Sequence, residues 1–169
     1  DELHFKHPDI RNIYEDAFNH EQRPPALTER IHHFRLRLKK RLYEFIREFD
    51  IDFIVPENAL TIPLNIPLAM ALTEVIAETG IHTIAHHHDF FWERKRFLRN
   101  CIWDYINSCY PPHLKSIQHV VINSSGANQL ALRTGISSVL IPNVMEFEKP
   151  PAGPDEYTKE VRKDIGVAD

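Results

Sequence analysis

Glycine is scarce in this chain, five in 169 residues, and none of the five stands in a GxGxxG or GxxxxGKS/T arrangement. The backbone cradles with which the common dinucleotide and mononucleotide folds grip phosphate are therefore missing. Cysteine is rarer still. Cys101 and Cys109 fall within one apparent helix, about 12 Å apart along its axis at the helical rise, beyond the reach of a disulfide, so free and buried thiols are expected. No apolar run nears the roughly 20 residues that cross a bilayer. The opening DELHFKHPDI has neither the basic nor the apolar region of a secretory signal, which makes a cytoplasmic location the expectation. Charge of one sign is also lacking: 20 Lys and Arg against 24 Asp and Glu leave a net charge of −4. Nothing in that balance draws the chain to nucleic acid or to an anionic membrane. The local basic run RLRLKKR interleaves Arg35, Arg37, Lys39, Lys40 and Arg41 with leucines at helical spacing, the pattern of a solvated helix face rather than of a phosphate patch. No GxSxG elbow surrounds Ser124 or Ser125, and neither cysteine sits in an electropositive loop, so an activated nucleophile is not expected.

What is present is alternation. The length fits one domain with a substantial core. A short helix is expected near Ile10 to Asn19, then, from Thr28 as N-cap, a long amphipathic helix whose apolar stripe runs Ile31, Phe34, Leu38, Leu42, Phe45, Ile46 and Phe49. DFIVPE reads as a buried strand, and NIPLAMALTEVIAETG as a helix with Pro67 in its first turn and Gly80 as its stop. The pattern then repeats. HTIAHH is a strand, DFFWERKRFLRNCIWDYINSCY a helix, QHVVINS a strand, SSGANQLALRTG a helix with serines for an N-cap and Gly135 for a C-cap, and SSVLIPN a strand. Apolar strands alternating with helices predict an α/β fold, a Rossmann-like parallel sheet with helices on both faces. Residues 1–150 form that domain in this reading. Residues 151–169, after a proline-rich stretch, form a linker and a charged helix.

Ligands of such sheets bind beyond the carboxyl ends of the strands. Here those ends run out into Pro56, Glu57 and Asn58; into His86, His87, His88 and Asp89; into Asn123, Ser124, Ser125 and Gly126; and into Pro142 and Asn143. Four polar clusters on one edge predict a cleft. Strand alternation turns His86 and His88 to one side and His87 to the other, so two histidines could share a metal with Glu57 or Asp89. No helical ligand spacing of the HExxH kind supports them. The metal-dependent hydrolase that His86, His88 and a carboxylate would make is therefore the alternative reading, as is a non-catalytic sugar-binding module, and no resident metal is expected. In FFWERKRF, Phe90, Phe91, Trp92 and Phe97 read as helix packing, with Arg94 or Lys95 available to pair with a phosphate or carboxylate.

The succession AHHHD, helix, VVINSSGANQLALRTG and then IPNVMEF resembles the family 4 (group 1) retaining glycosyltransferases, and ENALTIPLNIPLAMALTEVIAETG before AHHHDFFWERKRF looks like their branch that makes mannosyl or glucosyl glycerate-type solutes. The resemblance covers Arg30 to Asp169, with Val144 and Glu146 departing from the family's usual Gly and Asp. It implies a GT-B architecture, of which this chain would be part of the N-terminal, acceptor-side domain, inactive without the donor-binding domain. It implies transfer of a sugar from a nucleotide-sugar donor to a small hydroxylated acceptor, no cofactor besides that donor substrate, and no metal. It carries the family's cleft histidine onto His88, with His87 the competing register. Beside it the expected substrate contacts are Glu57, Asn58, His86, His87, Asp89, Arg94, Ser124 and Asn143. With the first half of such a domain missing, DFIVPE is expected at an exposed sheet edge, through which a homo-oligomer could form.

Overall fold

The computed structural model describes residues 2–144 and 156–166. Helix α1 spans Pro8–Asn19 and α2 Pro25–Glu48. Strand β1 (Phe53–Ile54), α3 (Ile66–Thr79) and β2 (His82–His87) follow, then a 3-10 turn at Phe91–Glu93 and helices α4 (Lys95–Leu98) and α5 (Trp103–Cys109). The described chain closes with β3 (Ile117–Val121), α6 (Ser124–Thr134), β4 (Ser138–Leu140) and α7 (Glu156–Asp164). The strands form one four-stranded sheet in the order β1-β2-β3-β4, and every pair is parallel. This is the expected α/β, Rossmann-like class. The boundary at residue 150 and the segment from Met145 to Asp155 lie outside the described residues, as does the Glu146 of the IPNVMEF match. Among the described residues no helix is long and apolar enough to cross a membrane.

Two helices carry most of the packing. In α2 the stripe Leu27, Ile31, Phe34 and Leu38 is buried, and it faces Ile66, Ala69, Met70, Leu72 and Ile76 of α3 together with Ile10 and Ile13 of α1. The basic run pairs with acids rather than standing free in solvent. Arg35 and Lys39 both bond Glu74 of α3, Lys39 and Tyr43 bond Glu78, and Arg37 bonds Glu2. Helix α2 begins three residues before the expected Thr28, because Pro25 at its first position has a fixed backbone angle and no amide hydrogen to satisfy. Its far end is different. Phe45 and Phe49 stand half exposed, their rings 4.8 Å apart and tilted by 47°.

Helix α3 starts and stops as its sequence demands. The Asn65 side chain accepts the Leu68 amide at 3.1 Å, and Gly80 takes the left-handed conformation (φ 67°) that ends the helix. Asn123, and not one of the serines, caps α6, accepting the Gly126 amide at 2.7 Å. Gly135 ends that helix at φ 73°.

The stretch expected as one helix from Asp89 to Tyr110 is broken. Arg94 and Arg99 are extended, with ψ of 109° and 110°, because consecutive side chains are claimed by different parts of the core. Phe90 packs with Val121, Leu130 and Ile136, whereas Phe91, Phe97 and Ile102 join the larger cluster. Asn100 makes the second turn, donating to the Phe97 carbonyl and accepting the Ile102 amide. Cys101 thus lies before α5 rather than inside a helix with Cys109, and both thiols are free. Burial pushes both of them up from their ordinary pKa.

Covering of the sheet is unequal. Thr83, Ala85, His87, Ile117, His119 and Val121 are buried, whereas His82, Ile84, His86 and Gln118, which alternate with them, are half-buried or exposed. Strand β1 lies at the sheet edge with β2 its one partner among the described residues, and Phe53 and Val55 are about half exposed there.

Because Ile31 is fully buried between α1 and α3, Ile31→Ala should lower the unfolding free energy by about 2–5 kcal/mol. Leu132→Ala, at an 88% exposed position, should leave it within about 0.5 kcal/mol in the same denaturant titration.

Candidate functional site

The carboxyl end of the sheet is assembled by the backbone first. Pairing between the edge segment and β2 runs past β1: the His86 amide donates to the Pro56 carbonyl at 3.2 Å, the Asn58 amide donates to the His86 carbonyl at 2.8 Å, and Glu57 and His86 form an isolated parallel bridge. Asn58 then turns the chain at φ 55°, a left-handed conformation that asparagine tolerates better than most residues. From that position its side chain reaches three groups. Its Oδ1 accepts from the His88 amide (3.2 Å) and from Thr61 Oγ1 (2.9 Å), and its Nδ2 donates to Asp89 Oδ1 (2.8 Å). The two loops are thereby fastened together.

Alternation along β2 continues to His88. His86 Nδ1 lies 2.8 Å from Glu57 Oε1, and His88 Nε2 lies 2.5 Å from the same oxygen, with the two rings 4.9 Å apart at an angle of 61°. Partial burial alone would raise the Glu57 carboxyl, but the hydrogen bonds from His86 and His88 hold it below its ordinary pKa. One atom from each of these three residues lies within 4.8 Å of the others, so the group could hold a metal ion. The Asp89 carboxylate accepts from Asn58 and from the Arg94 guanidinium, which also pairs with it. Six of the candidate residues (Glu57, Asn58, His86, His88, Asp89 and Arg94) therefore share one bonded network. A cleft of about 340 Å³ adjoins it, with Glu57 and Asn58 in its wall beside Leu3, Phe5 and Asn65. That volume suits a small ligand.

His87 turns the other way. It is 1% exposed, its Nε2 lies 2.9 Å from His119 Nδ1, and its ring packs at 5.5 Å from Phe90. Burial, with a smaller contribution from His119, lowers its pKa to about 3. Burial lowers His119 to about 4, opposed in part by the Pro112 backbone. Both rings stay neutral in the interior, and His87 stands behind the edge rather than on it. Ser124 is the exposed first residue of α6, one strand across from β2. Asn143 is exposed beyond β4, two strands or roughly 10 Å away in the pairing direction. Both lie on the same edge as the network. Among the described residues no hydrogen bond joins either to it. Lys95, in the first turn of α4, is exposed.

Sequence reasoning overlooked Thr61 and His119. The first is a short-range partner of Asn58, three residues on, and a left-handed Asn before a Thr could have suggested it. The second shares a strand with apolar neighbours and gives no local sign of facing His87.

No protein-family model matches the chain, and no solved structure matches it. It is similar to curated proteins named mannosylglucosylglycerate synthase. With that of Thermotoga maritima it is 31% identical over 172 aligned positions, which cover 99% of this chain and 39% of the relative. With that of Petrotoga mobilis it is 34% identical over 132 positions, covering 76% of this chain and 29% of the relative. The chain thus spans well under half the length of these relatives. The likeness supports the general resemblance to glycosyltransferases.

Two outcomes test this geometry. Asn58→Gly and Asn58→Ala both remove the three side-chain bonds, but only alanine is strained at φ 55°, so the alanine variant should be the less stable by about 1 kcal/mol in thermal or denaturant unfolding. The buried histidine pair gives the second. Their folded pKa values lie below the unfolded value, so the unfolded chain binds more protons below about pH 6.5 and stability should fall as the pH drops toward 4.5, by up to about 1.4 kcal/mol per unit for each ring. Replacing His87 and His119 together with leucine should flatten that slope before carboxylates begin to titrate.

Proposed function

We propose that this chain is part of a nucleotide-sugar-dependent, retaining glycosyltransferase, and that the edge carrying Glu57, Asn58, His86, His88, Asp89 and Arg94 is the acceptor-side wall of its cleft. The observation that carries the reading is the alignment of 99% of the chain with a mannosylglucosylglycerate synthase, joined to a polar network that collects at the carboxyl ends of parallel strands. The relatives' name describes a glycoside whose glycerate end bears a carboxylate and whose sugar bears hydroxyls. A sugar-bearing glycerate is the acceptor class we infer for the whole protein, and a nucleoside diphosphate hexose the donor class. Donor binding is assigned to residues outside this chain, which alone is inactive in this reading.

Each group then has a task set by its chemistry. Glu57 is ionised at neutral pH, since its pKa is depressed, and accepts hydroxyl protons as hydrogen bonds. Asn58 fixes the loop and leaves little capacity for a ligand, because its side chain already has three partners. Arg94 is held by Asp89 at the rim of the network, where a guanidinium suits an acceptor carboxylate in bidentate geometry. In this reading His88, 40% exposed at its side chain, touches the transferred sugar and stabilises charge as the glycosidic bond to the nucleotide breaks. Ser124 and Asn143 extend the same edge toward the far strands and supply further hydroxyl contacts.

The test uses the full-length protein, a panel of nucleoside diphosphate hexoses, and glycerate or glucosylglycerate as acceptor, with product followed by mass spectrometry. His88→Ala should lower the transfer rate by about 100-fold while the melting temperature stays close to that of the parent. Leu132→Ala should transfer normally. Absence of transfer by the parent protein across the panel, or an undiminished rate for His88→Ala, would sink the assignment.

A further inference from the structure

We infer that Glu57, His86 and His88 form a binding site for a first-row divalent cation of the zinc type at the carboxyl end of β2. The inference goes beyond the transferase reading and stands or falls apart from it. It also departs from the metal-free chemistry that the family resemblance implies.

Three observations carry it. The donor atoms are already convergent: His86 Nδ1 and His88 Nε2 approach the same Glu57 oxygen at 2.8 and 2.5 Å, and all three ligand atoms fall within 4.8 Å of one another. Bonds of about 2.0–2.2 Å to an ion among them require ligand atoms roughly 3.3 Å apart, so the two rings retreat from the carboxylate by less than about 1 Å while their nitrogens, within 4.8 Å of each other, close by at most about 1.5 Å.

The second observation is charge. Among the described residues the ion-pair partners of Glu57 are these two histidines alone, with no lysine or arginine beside it. Two neutral imidazoles and a carboxylate leave one negative charge at the site, and two histidines with a carboxylate suit zinc and its neighbours. Coordination requires each ring to turn an unprotonated nitrogen to the ion, which leaves the other ring nitrogen to carry the N–H.

The third is the frame. The Asn58 amide bond to the His86 carbonyl and the Asn58 side-chain bond to the His88 amide hold the Glu57 loop against the histidine strand. The ligands thus come preassembled from two segments. Glu57 and His88 side chains are 55% and 40% exposed, which leaves the remaining coordination positions open to water or to an oxygen of a hydroxylated ligand.

The experiment titrates metal-free, tag-free full-length protein with Zn²⁺ by calorimetry and with Co²⁺ by visible absorption. One equivalent should bind with a micromolar or tighter Kd, and His86→Ala, His88→Ala and Glu57→Gln should each weaken it about tenfold or more, whereas His20→Ala should not. X-ray absorption of the zinc-loaded parent should show two imidazoles and at least one oxygen, a readout that does not depend on any variant folding. No saturable binding, a shell containing sulfur, or full affinity in the His86→Ala, His88→Ala double variant overturns the inference. Sugar transfer by the parent after chelation leaves the transferase reading intact while the Kd decides the metal, so the two can fail separately.

Discussion

Asn58 is the residue on which the arrangement of the sheet edge depends. A parallel sheet brings strand ends to one side but does not bring their loops into contact, since each loop leaves its strand in its own direction. Here the backbone of Asn58 continues the ladder to the His86 carbonyl, its left-handed turn redirects the chain, and its amide side chain reaches Thr61, His88 and Asp89 at once. With both faces of that amide occupied, Glu57 on one side of it and His88 on the other have little freedom to part. The proximity of Glu57 to two histidines is a consequence of that fastening.

The rest of the chain serves to hold β1 and β2 in register. Their contact within regular strand is only two residues long, too little to be stable alone. Helix α3, the crossover between them, is fixed by the buried Ile31, Phe34 and Leu38 of α2 and by Arg35 and Lys39 on Glu74. These ion pairs are partly buried, and their hydrogen bonds depress the Glu74 carboxyl against the opposing effect of burial. An α2 that looks by sequence like a solvated basic face is instead the clamp on the crossover helix.

The sequence made legible what depends on periodicity. Alternating strands and helices, Gly80 and Gly135 as helix stops, Pro67 in a first turn, and the polar ends of four strands all follow from local backbone preference. Period-two alternation also separated His87 from His86 and His88. What it concealed depends on long-range packing. Nothing in FFWERKRFLRNCIW breaks a helical pattern, yet Phe90 and Phe91 are drawn into different clusters and the helix gives way. His119 acquires meaning only when the β2 and β3 register sets it beside His87. The departure at Arg94 has a consequence for the site, because an extended residue there lets its guanidinium turn back to Asp89.

Three successive histidines end in two different electrostatic situations. His87 is enclosed with His119 and Phe90, where burial keeps it neutral and its role is to fill and order the interior behind the edge. His86 and His88 lie on the more open face beside an ionised carboxylate. An imidazole in that position can donate to a sugar oxygen or, once its proton shifts to the other nitrogen, offer a lone pair to a cation. Those uses are exclusive for a given nitrogen but not for the site: an ion bound by the nitrogens now facing Glu57 would leave the opposite N–H of each ring for a hydroxylated ligand. The same three residues can thus serve a sugar cleft and a cation, and the partition between them is set by which face of each ring the Glu57 carboxylate occupies.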